Sequence, residues 1–185
     1  MSMLNRSIII KLCVLISIFS PTTLAKSWKG VTPLRSTAQD VAHLSQVCAQ
    51  TETRCQFTLE DQEVMIIFSG SKIGDLECPR VPTRTVLAII VRFSQPRKLR
   101  EFQIPKRQAK TFDPSSPPKR GYKTYYYLQE GFMINTYRGQ VIGLVYIAEQ
   151  KDIQLCPEYY ADPKAFVEVG LFPEDLFLRI SQGFR

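Results

Sequence analysis

After about residue 55, hydrophobic and polar positions follow a period of two, with continuous apolar runs such as Val64–Phe68, and this pattern predicts a series of β-strands. The predicted strands are Gln56–Glu60, Glu63–Ser69, Thr85–Phe93, Tyr122–Gln129, Phe132–Tyr137 and Gln140–Ala148. Thr85–Phe93 is rich in β-branched residues, and Pro96 is expected to end this strand. Glycine tolerates a positive φ angle at Glu130-Gly131 and Arg138-Gly139, so the last three strands are predicted to form a meander.

One helix is predicted ahead of the strands. Ser36 followed by Gln39 matches a capping box, in which each side chain satisfies a free backbone N–H. Apolar residues then recur at helical spacing, which predicts a helix from Thr37 to Cys48. A helix followed by antiparallel strands predicts an α+β fold: one antiparallel twisted sheet of about five to seven strands with the N-terminal helix packed on one face.

The first 25 residues have the pattern of a secretory signal peptide. Arg6 and Lys11 supply positive charge ahead of the apolar run Leu12–Phe19. Thr23-Leu24-Ala25 then places small residues at a cleavage site. The apolar run is too short for a membrane-spanning helix, which needs roughly 20 residues. We expect residues 1–25 to be removed and residues 26–185 to form a single secreted or periplasmic domain that does not span the membrane. A buried segment of the fold and an uncleaved anchor are the alternatives.

Cleavage would also remove Cys13 and leave four cysteines. An even number in an exported chain favours two disulfides. We favour Cys48–Cys55, which closes a short loop, and Cys78–Cys156, which closes a long one. The alternative is a set of reduced thiols in the core. The spacing of the cysteines and of His43 matches no metal-ligand pattern, so neither a metal nor a cofactor is predicted.

Positive charge is concentrated in one part of the sequence. Removal of Arg6 and Lys11 lowers the formal net charge from +7 to +5, and ten basic residues against two acidic ones lie between Arg92 and Lys123. Residues 105–120 are rich in proline and are predicted to form an exposed basic loop. The candidate binding residues are Arg97, Lys98, Arg100, Lys106, Arg107, Lys110, Lys119 and Arg120.

Export determines which partner these basic residues would meet. Nucleic acid is not expected outside the cytoplasm, so an anionic component of the cell envelope or an acidic protein surface is the expected partner. The alternative is a basic loop that only keeps the protein soluble.

Two resemblances bear on the fold. The opening Trp28-Lys29-Gly30-Val31-x-Pro33-Leu34-x-Ser36-Thr37-x-x-Asp40-Val41-x-x-Leu44 resembles that of small exported bacterial proteins of unassigned function, and similar pieces continue to about residue 157. Residues 31–44 and the strand order are also similar to the SmpA/OmlA (BamE) type of outer-membrane assembly lipoprotein. That likeness implies a helix on an antiparallel sheet. The chain departs from the family at Ser45-Gln46, where a glycine is usual, and it lacks the lipid-bearing cysteine.

The sequence contains no catalytic motif. His43 has no nucleophile or orienting acid at a recognisable spacing, and the carboxylates of Glu60, Asp61 and Glu63 are expected to form a solvated turn. We therefore predict an exported, non-catalytic binding or interaction protein. The alternative from another class is a secreted hydrolase whose active site is assembled from residues distant in sequence.

Overall fold

The computed structural model describes residues 27–51, 53–70, 78, 80–102, 110–112, 121–127 and 129–157. The predicted signal peptide lies outside these residues, as does most of the predicted basic loop. The described strands are β1 (Arg54–Leu59), β2 (Gln62–Phe68), β3 (Val86–Lys98), β4 (Lys110–Phe112), β5 (Tyr122–Tyr127), β6 (Phe132–Tyr137) and β7 (Gln140–Tyr146).

These strands form a single seven-stranded sheet in the order β1-β2-β3-β7-β6-β5-β4, and every pairing is antiparallel. Two meanders, β1–β2–β3 and β4–β5–β6–β7, are therefore joined side by side through β3 and β7. Gly143 of β7 allows a close approach at this junction, because a Cβ atom at this position would lie 2.7 Å from the carbonyl oxygen of Val91.

Both faces of the sheet carry apolar clusters. On the first face, strand residues such as Val64, Ile66, Ile89 and Ile134 pack with the N-terminal segment, which contributes Trp28, Val31, Ala38, Val41 and Cys48. On the second face, Ile67, Ile90, Met133 and Val145 pack with Leu34, Val81, Cys78 and Cys156. The continuous apolar run in β3 follows from this arrangement, since side chains on both sides of the strand are buried.

The predicted α+β class is wrong, because no helix of the predicted length packs on the sheet in the described chain. Thr37 forms an isolated β-bridge with Thr85, residues 38–44 form turns, and the described α-helix, α1 (Gln46–Gln50), has only five residues. The described part of the protein is essentially all-β, with short 3₁₀ turns at Leu99–Phe102 and Ile153–Leu155.

Backbone hydrogen bonds to the start of β3 explain why the helix does not form. The Leu34 N–H donates to the Val86 carbonyl at 2.7 Å, and the Val86 N–H donates to the Ser36 carbonyl at 2.7 Å. The Ala38 N–H donates to the Arg84 carbonyl at 2.9 Å. These bonds tie the beginning of the segment to the residues around the start of β3. The backbone that follows closes separate turns, with Asp40 bonded to Thr37, Ala42 to Gln39 and Leu44 to Val41, in place of a continuous helical ladder.

The Ser36 side chain also differs from its predicted role. Its hydroxyl accepts a hydrogen bond from the Thr32 N–H at 2.9 Å. The Asp40 carboxylate, rather than Gln39, completes the next turn by accepting from the Thr37 N–H at 2.7 Å. Val41 is nevertheless fully buried, so the apolar spacing identifies a residue of the core although it predicts the wrong backbone conformation.

Two further boundaries differ from the sequence prediction. Strand β3 continues through Pro96 to Lys98, because its register against β7 shifts between Arg92 and Arg97 and the proline lies within this irregularity. In the predicted loop 105–120, residues Lys110–Phe112 form an edge strand paired with β5.

Two disulfides close loops within this fold. Cys48–Cys55 joins α1 to the edge strand β1 with a Cα–Cα distance of 5.2 Å. Cys78–Cys156 joins residues 78 positions apart, with a Cα–Cα distance of 5.0 Å. These are the two pairings that the cysteine spacing favours. They fit a protein of an oxidising compartment such as the periplasm or the extracellular space.

Candidate anion-binding surface

The register of four strands brings basic residues to the same end of the sheet. Val141 of β7 pairs with Arg97 of β3, and Thr136 of β6 pairs with Val141 and with Lys123 of β5. Arg97 and Lys123 therefore lie in one row, separated by three strand spacings, which is about 14 Å. These residues are 26 positions apart in sequence, so only the strand pairing places them together.

The end of β3 and the 3₁₀ turn that follows it add Lys98 and Arg100 at this end of the sheet. Leu99 and Phe102 pack against the cluster on the first face, and the Phe102 ring lies 5.8 Å from the Phe93 ring. With these two side chains anchored, Lys98 and Arg100 remain exposed. The Glu101 carboxylate accepts a hydrogen bond from the Lys98 backbone N–H at 3.3 Å, which places one negative charge beside them.

Arg138 occupies the tight turn between β6 and β7. Its φ angle is 49° and that of Gly139 is 80°, the combination found in a type I′ hairpin turn, where Asn-Gly is the preferred pair. The Arg138 guanidinium lies 5.2 Å from the centre of the Tyr137 ring and is exposed. An arginine therefore stands at a backbone position that disfavours it, between the β3 and β5 contributions to the surface.

Lys98, Arg100, Lys123 and Arg138 together define the basic sheet end. Their side chains form no ion pair with the described residues. At physiological salt the screening length is about 8 Å, so Lys98 and Lys123 are largely screened from each other. Arg138 lies at the same end of the sheet, in the turn that joins β6 and β7, the two strands between β3 and β5.

Arg97 is held differently from these four residues. Its Nη2 atom lies 2.6 Å from Oδ2 of Asp61, and its guanidinium carbon lies 4.5 Å from the centre of the Phe93 ring. The hydrogen bond from Arg97 lowers the pKa of Asp61 and keeps its carboxylate charged. The charge of Arg97 is therefore balanced within the protein, and its contacts fix the β1–β2 turn against β3.

The remaining predicted binding residues do not add to this surface in the described structure. Lys110 lies in β4 opposite Tyr126, four residues along β5 from Tyr122, which begins the strand at the basic sheet end. Lys106, Arg107, Lys119 and Arg120 lie outside the described residues.

The sequence places Lys123 in the basic segment around the proline-rich loop, but Lys123 is not among the candidate binding residues, and Arg138 is given no binding role. Lys123 is the second residue of the predicted strand Tyr122–Gln129, and Arg138 lies in a predicted turn of the same meander. A predicted meander places the first residues of its first strand beside the turn between its second and third strands. That relationship was the signal in the sequence that could have brought Lys123 and Arg138 together.

The candidate catalytic histidine lies in an exposed turn. Nδ1 of His43 is 2.7 Å from the backbone oxygen of Asp40. The Asp40 carboxylate accepts hydrogen bonds from both the N–H and the hydroxyl of Thr37, and the first of these is the main reason its pKa is lowered. This carboxylate stabilises the turn, and the histidine contacts the Asp40 backbone instead of its side chain.

The three carboxylates near the β1–β2 turn approach three different cations. Glu60 lies 3.1 Å from Lys29, Asp61 lies 2.6 Å from Arg97, and Glu63 lies 3.9 Å from Arg92. Paired acid–base catalysis needs two carboxyl groups in contact with one substrate. Here each carboxylate instead has its own basic neighbour.

The described residues provide neither a cluster of metal ligands nor a membrane-spanning helix. They contain no group of three or more His, Cys, Asp or Glu side chains arranged to hold a metal ion. They also contain no helix with the length and hydrophobicity needed to cross a membrane. Comparisons of the chain with known protein families, with curated proteins and with solved structures found no match.

Proposed function

We propose that this protein is an exported binding protein of the cell envelope or extracellular space, and that its basic sheet end contacts an anionic envelope component. The convergence of Lys98, Arg100, Lys123 and Arg138 at one end of the sheet, without ion-pair partners in the described chain, carries this proposal. Unpaired surface cations attract polyanions and lose that attraction as salt rises.

The arrangement suits a repeating anion better than a small enclosed ligand. The cations extend over about 14 Å on an exposed rim, and each keeps its charged group in water. Such a surface gains little from burial, so affinity depends on the number of charges that are engaged together. Phosphate-bearing lipid head groups and acidic polysaccharides both present negative charges at repeated positions.

The location in this proposal rests on two observations of different kinds. The N-terminal pattern of residues 1–25 is that of a secretory signal, and the two disulfides suit an oxidising compartment. The charge distribution adds the class of partner, because polyanions outside the cytoplasm are mainly envelope components.

Binding to vesicles and to a soluble polysaccharide tests the proposal. We expect the purified protein, lacking residues 1–25, to co-sediment with vesicles containing phosphatidylglycerol. With vesicles of pure phosphatidylcholine, it should stay in the supernatant. Binding should fall steeply as sodium chloride is raised. Competition by alginate would indicate recognition of charge rather than of a lipid. Equal binding to both vesicle types, or binding unchanged by salt, would contradict the proposal.

A further inference from the structure

Strand β1 forms one edge of the sheet, and its outer side has the features of a pairing surface. Phe68 of β2 donates its N–H to the Thr53 carbonyl at 2.8 Å, which sets the alternation of hydrogen bonds along β1. Cys55, Phe57 and Leu59 therefore bond to β2. The backbone groups of the intervening residues, Arg54, Gln56 and Thr58, are directed away from the sheet.

These outward groups make no hydrogen bond with the other described residues. The strand is six residues long and contains no proline, and its register against β2 is continuous, without a bulge. Natural sheets commonly protect an exposed edge with proline, bulges or several charges. Here Arg54 is the single charged residue of the strand, so the described residues leave the edge open to another strand.

We propose that β1 pairs antiparallel with β1 of a second copy of this chain, forming a symmetric dimer with a continuous fourteen-stranded sheet. One register of this pairing gives hydrogen-bond partners to the outward backbone groups and also places opposite charges beside each other. In that register Gln56 pairs with Thr58 of the second copy, and Arg54 lies opposite Glu60 of the second copy. The two-fold axis repeats each of these pairs, so each contact forms twice.

The same register places Phe57 beside Phe57 of the second copy on the two-fold axis. This pair is of the non-hydrogen-bonded kind, in which opposing side chains lie closest. Phe57 is half-buried in each copy, with its ring 6.4 Å from that of Trp28. Pairing would therefore extend an existing aromatic contact across the dimer axis.

Charge and side-chain matching favour a second copy over an unrelated strand as the occupant. The edge carries a positive residue at one end and Glu60 just beyond the other, so antiparallel self-pairing brings opposite charges together at both ends of the interface. Two six-residue edges bury less area than the roughly 1,200 Å² of a stable complex. We therefore expect a reversible dimer whose population depends on protein concentration.

This dimer is independent of the proposed anion binding. The basic sheet end is formed by β3, β5 and the β6–β7 turn, whereas the dimer edge is β1. Antiparallel pairing would direct the two basic sheet ends in opposite directions. A monomer could therefore still bind vesicles, and a dimer could form without any anion.

Sedimentation velocity from micromolar to millimolar concentration, combined with amide hydrogen exchange, tests the dimer. We expect the mass to rise toward that of two chains. The Arg54, Gln56 and Thr58 amides should exchange more slowly as concentration rises, while the Phe57 amide, already bonded to β2, should change little. Arg54→Glu should shift the protein toward monomer because it places an acidic side chain opposite Glu60 at both ends of the interface. Arg54→Glu combined with Glu60→Arg and Lys29→Glu should restore the dimer, since the third change keeps opposite charges at positions 29 and 60 within each copy. A monomer at every concentration would overturn the proposal, as would a dimer that is insensitive to Arg54→Glu and leaves these amides unprotected.

Discussion

Arg97 and Asp61 form a contact that joins the β1–β2 turn to the far end of β3, with 2.6 Å between Nη2 and Oδ2. Ser94 supports the same junction, since its N–H and hydroxyl both donate to the Asp61 carbonyl. This relationship separates Arg97 from the other basic residues of its segment. Its charge stabilises the protein, whereas the charges of the basic sheet end remain available.

The Arg97–Asp61 contact should make stability depend on pH at the acidic end of the range. Because the pKa of Asp61 is lowered on folding, its contribution is present above the unfolded pKa of about 3.9 and is lost as pH falls through the folded value. We expect Arg97→Gln to remove this acid dependence. Urea unfolding of the wild type, Arg97→Gln, Asp61→Asn and the double variant measures it. Fully additive effects of the two substitutions would contradict a direct coupling.

The two disulfides should differ in their contribution to the free energy of unfolding. Their cysteines are 78 and 7 positions apart, and the entropy lost by the unfolded chain rises with loop length. We expect replacement of Cys78 and Cys156 by serine to cost about 4 kcal/mol, and replacement of Cys48 and Cys55 to cost about 2 kcal/mol. All four cysteines are buried, so replacing either pair by serine has a similar direct cost. The difference between the two double variants in denaturant unfolding then reports the loop length. A larger loss for the short loop would contradict this ranking.

Burial of Tyr126 should weaken the protein in alkali. Burial raises the pKa of Tyr126 to about 12, above the value of about 10 in an unfolded chain. The contribution to stability is present below the unfolded pKa and is lost as pH rises toward the folded one. We expect Tyr126→Phe to reduce the decline of unfolding free energy between pH 10 and 12. An identical decline in both proteins would exclude Tyr126 as its source.

The turn at Arg138 should show a conflict between stability and binding. A left-handed backbone conformation costs a non-glycine residue roughly 1–2 kcal/mol, and asparagine tolerates it better than arginine. We therefore expect Arg138→Asn to raise the thermal midpoint and to weaken binding to anionic vesicles. Arg138→Lys should retain more of the binding without the gain in stability. Loss of stability in Arg138→Asn would show that the contact with Tyr137 outweighs the backbone strain.

Strand positions are the part of the fold that the sequence predicts well. Phe132–Tyr137 is predicted with the bounds that the structure has, and β7 begins at the predicted Gln140. Alternating apolar residues and glycine-containing turns are local features, so they are visible without knowledge of the fold. The order of the strands is not local, because it depends on the pairing of β3 with β7 across more than 40 residues.

The predicted helix fails because a tertiary interaction overrides a local pattern. Ser36, Gln39 and the apolar residues that follow satisfy the rules for a helix start, but hydrogen bonds to Val86 and Arg84 hold this backbone against β3. The prediction of the candidate site from sequence was incomplete for the same reason, because it also depends on tertiary structure. Sequence identified Lys98 and Arg100 within a basic segment, whereas Lys123 and Arg138 join them only through strand register.

The central claim is that the position of the basic residues, and not the net charge of the protein, determines anion binding. Its most direct test compares two triple variants of equal charge. One replaces Lys98, Arg100 and Lys123 with glutamine, and the control replaces Arg35, Arg80 and Lys151, which are also exposed but lie away from the basic sheet end. Binding to phosphatidylglycerol vesicles would be measured against sodium chloride concentration for both. We predict that the first variant loses most of its binding while the control retains it, and equal losses in the two variants would contradict the claim.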